Sequence, residues 1–104
     1  MQNHSWIGTT DAATDPQILR ALDLLINRDG VLAAVPLNNG TGAMPALLGN
    51  NYHALTAGLR SGQHSQGGTN TDGSDRMKPD LVVNESETSY ASPAIAGTAA
   101  ALLQ

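Results

Sequence analysis

Thr88-Ser89-Tyr90-Ala91-Ser92-Pro93 places three hydroxyls just before an alanine- and glycine-rich run that extends to Leu103. A proline there suits the first turn of a helix, whose leading N–H groups lack intrahelical partners and whose dipole favours negative charge. A nucleophile belongs in such a place. The ordinary alternative is that Ser89 or Ser92 merely caps the helix. Asn38-Asn39-Gly40 reads as a turn, which the Asn38 side chain suits. His4, His53 and His64 sit in strand or loop contexts that favour surface residues over a general base. Asn70-Thr71-Asp72-Gly73-Ser74-Asp75 is rich in oxygen ligands but lacks the register and closing glutamate of an EF-hand, so a solvated turn is expected. Gly67-Gly68 is not followed by the Lys and Ser/Thr that a phosphate loop needs.

These groups need a scaffold. A chain of 104 residues, 40% hydrophobic and 13% charged, has room for one small domain and is too apolar for a disordered tail. With one Trp, two Tyr and no Phe, its core must come from Ala, Leu, Val and Ile, which let elements approach closely. The first run, Gln2 to Gly8, reads as a short strand. Asp15-Pro16 is an N-cap and first-turn proline, Ile18, Leu19, Leu22, Leu25 and Ile26 repeat on one helical face, and Gly30 is a left-handed stop. A helix is therefore expected over 16–28.

Val31 to Val35 is a continuous apolar run between Gly30 and Pro36, the pattern of a strand covered on both faces. Pro36 to Asn51 reads as loop, Tyr52 to Leu59 and Asp80 to Val83 as strands, and Arg60 to Lys78 as a polar, glycine-rich connection. Pro93 to Leu103 is apolar nearly all round, which predicts a helix buried on most sides. Strands alternating with helices give an α/β fold, a mostly parallel sheet flanked by helices.

The net charge of −4 argues against a nucleic-acid surface, where a basic stripe would be expected. The absence of cysteine removes thiolate chemistry and cysteine zinc sites. No apolar run reaches the roughly 18 residues of a membrane span.

Thr88, Ser89, Ala91, Pro93, Ala96, Gly97, Ala99 and Ala100 fall in the order and spacing of the active-site motif of the subtilisin-like serine proteases, Gly-Thr-Ser-x-Ala-x-Pro leading into a small-residue helix. Leu32 to Gly40 resembles that family's strand and loop ending in Asn-x-Gly, and Tyr52 to Leu59 its following strand. Lys78-Pro79-Asp80-Leu81-Val82 is similar to the strand that precedes the serine loop, and Asn3-His4-Ser5-Trp6 to the strand that lines the substrate. The resemblance covers all but the linkers and implies that residues 1–104 form the C-terminal half of a three-layer catalytic domain. It implies Ser89 as acylated nucleophile, Asn38 as oxyanion donor, and Ser5, Trp6 and Gly8 as the cleft wall that pairs with a polypeptide substrate. Calcium is the one ion the resemblance suggests, and the family is mostly secreted.

Three features depart from the family pattern. The family supplies an Asp and then a His from upstream of these segments, and neither an Asp-Thr-Gly-like nor a His-Gly-Thr-like motif is present. The expected partner is thus the N-terminal half of the same domain, and the chain alone is expected to be inactive for want of the base. Glu87 stands where the family has glycine, adding charge beside a developing oxyanion. The path from Val83 through Asn84, Glu85 and Ser86 lacks the usual Ala-Pro-Gly turn. These departures favour an alternative, a non-catalytic relative that binds an extended peptide. A coincidental serine motif in a plain α/β domain would instead turn Ser89 toward the core.

Overall fold

The computed structural model describes residues 1–40, 44–61 and 77–104. The elements run β1 (Gln2–Asn3), α1 (Thr14–Asp29), β2 (Ala33–Pro36), β3 (Leu55–Leu59), β4 (Leu81–Val83) and α2 (Thr88–Leu102). The strands form a single parallel sheet in the order β1-β2-β3-β4. The α/β architecture expected from the alternation of elements is therefore the one observed.

Period-two alternation in β2 assigns the two helices to opposite faces. Ala33 and Val35 join Ile26, Leu47, Leu48 and Ala54 under Ile18, Leu19 and Leu22 of α1. Ala34 points the other way and packs with Ala57 and Leu59 of β3 against Ala91, Ile95 and Ala96 of α2. All four residues of β2 are buried, as its unbroken apolar run required. Small side chains at 33, 34, 57, 91 and 96 let the helices lie close to the sheet, which accounts for a core with so few aromatics.

The local details differ from expectation at both helix starts. Asp11, not Asp15, caps α1: its Oδ1 accepts the N–H groups of Ala13 and Thr14, both at 2.8 Å. Asp15 lies inside the first turn, where its carboxylate gathers the Thr9 hydroxyl and both the N–H and hydroxyl of Thr10. Gly30 closes the helix in the left-handed region at φ 63°, as read from the sequence. Helix α2 begins at Thr88, five residues before the expected start, and carries Pro93 inside it. Nor is α2 buried on most sides: Thr88, Ala91, Ser92, Ile95 and Ala96 are covered, while Leu102 and Leu103 at its end are 82% and 73% exposed. The first strand is shorter than expected, two residues rather than seven. Among the described residues no helix is long and apolar enough to cross a membrane.

Candidate active site

In a parallel sheet the strands deliver their C-terminal ends to one edge, where ligands characteristically bind. Here that edge gathers the loop after β1, the Asn38-Asn39-Gly40 turn after β2, and the loop from β4 into α2.

The turn after β2 is fixed to the head of α2. Asn39 Oδ1 accepts the Thr88 N–H at 2.8 Å and also its hydroxyl, and Thr88 is 1% exposed. Asn38, the residue matched to the oxyanion donor, folds back instead on its own turn. Its Nδ2 donates to the Gly40 carbonyl at 3.2 Å and its Oδ1 accepts the Asn39 N–H at 2.8 Å. The side chain that reaches the serine loop is thus Asn39, one position on. Two adjacent asparagines before a glycine were the only trace of this in the sequence, and they do not say which one reaches across.

Ser89 occupies the second position of α2 and is half-buried, beside the exposed Tyr90. The four leading N–H groups of the helix can be followed individually. Thr88 donates to Asn39, while Tyr90 and Ala91 both donate to the Glu87 carbonyl at 3.1 Å. Of these four, the Ser89 N–H alone has no acceptor among the described residues. The Ser89 hydroxyl donates to Glu87 Oε2 at 3.3 Å.

Ser92, three positions on from Ser89, ties α2 to the segment expected to line a substrate. Fully buried, it donates to Asn3 Oδ1 at 2.7 Å and toward the His4 carbonyl at 3.4 Å, tying β1 to α2. Beyond β1, Ser5 is exposed and accepts from Asn3 Nδ2 at 3.0 Å. Trp6 is 47% exposed and meets the His4 ring edge-on, so it lies on the surface and not in the core. Gly8 has both backbone groups engaged, its N–H and C=O each bonding Leu47 at 2.8 Å. Of the three matched wall residues, Gly8 therefore has no spare N–H or C=O with which to pair a substrate backbone.

Neither described histidine bonds to Ser89. The His4 ring bonds Gln2 Oε1 at 3.2 Å, and His53 Nδ1 bonds Asp23 Oδ1 at 2.9 Å before the start of β3, at the other end of the sheet. His64, Gly67-Gly68 and the Asn70 to Asp75 turn lie outside the described residues. Two cavities, of about 350 Å³ between α1 and the 46–52 segment and about 280 Å³ between β4 and α2, have no lining from Ser89. Comparison with known protein families, with curated proteins and with solved structures finds no match for this chain.

Proposed function

We propose that the chain carries the nucleophile half of a subtilisin-like serine endopeptidase, with Ser89 accepting the acyl group of a polypeptide substrate. The observation that carries this reading is the head of α2: Ser89 is accessible there, its N–H is unbonded, and its neighbour Thr88 is locked to the turn after β2. In the reaction Ser89 Oγ attacks the peptide carbonyl, and the Ser89 N–H meets the oxyanion at a helix N-terminus where partial positive charge is already in place. The resemblance in sequence assigns the His and Asp that would move the proton to a second segment, the N-terminal half of the same domain. The open side of β1 offers it a sheet edge to join.

An alkyl fluorophosphonate tests this. Oxyanion stabilisation and binding alone leave a residual acceleration of about 10³ to 10⁴ over water in serine hydrolases stripped of their triad. Phosphonylation is therefore expected at Ser89 in preference to the chain's other serines, and its loss in Ser89→Ala. Label spread evenly over the serines would sink the reading. Labelling as fast as in a complete peptidase would instead overturn the need for the second segment.

A second reading, a domain that only holds an extended peptide, is favoured by Asn38, whose side chain is bonded within its own turn. It predicts no covalent label and retention of unstructured peptides on the immobilised chain.

A further inference from the structure

We infer that Glu87 is the proton acceptor of Ser89 in this chain, forming a Ser–Glu pair that acylates the serine without any histidine. The inference rests on the reading of Ser89 as a nucleophile and departs from it in finding the base two residues away.

Glu87 is the residue immediately before α2, with extended backbone at φ −142° and ψ 151°, and its side chain makes no bond to the helix N–H groups. A glutamate in that place would ordinarily be free to cap them. Instead its Oε2 lies 3.3 Å from Ser89 Oγ, with the hydroxyl donating. That separation is longer than the roughly 2.5 to 3.0 Å usual for an O–H···O bond, as base–nucleophile contacts in an empty site often are before substrate tightens them. Other acidic and basic residues of the described segments at this end of the sheet are Glu85 in the same loop, Arg60 just after β3 and His4 after β1. None of these bonds to Glu87 among the described residues. Tyr90, next to Ser89, is exposed. The carboxylate is thus the one described group placed to take the proton.

The step balances within the pair and an activated acyl donor such as an aryl ester. Ser89 Oγ forms a bond to the carbonyl carbon as its proton passes to Glu87 Oε2, and the Ser89 N–H receives the oxyanion. Collapse breaks the carbon–oxygen bond to the phenolate, which leaves with the electron pair. Glu87 releases its proton to solvent, takes another from the water that attacks the acyl-serine, and returns it to Ser89 Oγ as the acyl–oxygen bond breaks and the free acid leaves. With a fluorophosphonate the bond formed is Oγ–P and the leaving group is fluoride.

The test is the rate of Ser89 phosphonylation by an alkyl fluorophosphonate, followed by mass spectrometry across pH, in the 104-residue chain and in Glu87→Gln, Glu87→Asp and Ser89→Ala. A positioned base contributes about 10² to 10⁴ in rate. Glu87→Gln should lose at least about 100-fold in rate, and Glu87→Asp should recover part of it. Because Glu87 is exposed, each variant should keep the parent circular dichroism. Parent-like labelling in folded Glu87→Gln, with Ser89→Ala silent, overturns the pair while leaving the nucleophile in place. No label at Ser89 in any chain overturns both.

Discussion

Asn39 and Thr88, 49 positions apart, share one side-chain oxygen: Asn39 Oδ1 receives both the N–H and the hydroxyl of Thr88. This one contact ties the turn after β2 to the helix that carries Ser89, and Thr88 has almost no access to water should it be broken.

Asn39→Ala should therefore cost about 1 to 3 kcal/mol of stability, the penalty for a buried polar group left without its partner. It should also slow Ser89 labelling, because the head of α2 loses its anchor. Asn38→Ala breaks only bonds within its own turn and should cost nearer about 0.5 to 1.5 kcal/mol. Urea unfolding of the two variants measures the difference. If Asn38→Ala proved the more damaging to labelling, the assignment from the family motif would regain its force.

Ser92→Ala should detach β1 from α2, since the Ser92 hydroxyl is the link to Asn3 Oδ1. About 1 kcal/mol is expected, because the exposed Asn3 can turn to water once released. Hydrogen exchange should quicken at the Gln2 and His4 amides, which bond to the Leu32 and Ala34 carbonyls of the neighbouring strand region. Unchanged exchange there would mean that sheet pairing alone holds β1.

Asp80 links the start of β4 to β3. Burial pushes its carboxyl up, but the Lys78 ammonium at 2.8 Å and the Thr56 hydroxyl and N–H outweigh burial and hold it below its ordinary value. A carboxyl depressed in the folded state binds its proton less readily there than in the unfolded chain, so stability rises with pH across the interval. The contribution is full above the ordinary value of 3.8 and is lost as pH falls through the lower folded-state value. Asp80→Asn should unfold at lower urea than the parent at neutral pH, with the gap narrowing toward about pH 2. An equal gap at both pH values would show that the charge of Asp80 contributes nothing.

Leu81, Val82, Leu102 and Leu103 are all large, apolar and exposed, and β4 leaves a sheet edge open beside them. Such surfaces promote self-association. Sedimentation velocity should find concentration-dependent assembly, reduced in Val82→Lys and in Leu102→Lys. A strictly monomeric parent with a cooperative thermal transition would argue that these 104 residues need no covering partner.

What could be read from residue order was whatever local chemistry decides. Gly30 stops α1 because a left-handed turn tolerates it best, and Val31 to Val35 announced a covered strand because nothing polar interrupts it. Where several residues could play one local part, the choice fell to tertiary contacts. Asp11 and Asp15 are both good caps, and Asp15 was drawn away by Thr9 and Thr10. Pro93 signalled a first turn, yet the helix starts at Thr88, where Asn39 receives the first N–H. The same long-range bond separates Asn39 from Asn38. The Ser89–Glu87 contact is local, but as sequence it registered only as a charge in a glycine's place; its direction needed the extended backbone at Glu87.

Helix α2 packs against every strand of the sheet and follows all of them in the chain. During synthesis the strands emerge with one face bare, and Ala34, Ala57 and Leu59 have nothing to bury against until these final 15 helical residues clear the ribosome. Folding is therefore held back to the end of translation of this segment. A stop codon anywhere before Thr88 would cost all four strands their cover at once, so truncation products should be cleared by proteolysis rather than persist as smaller domains.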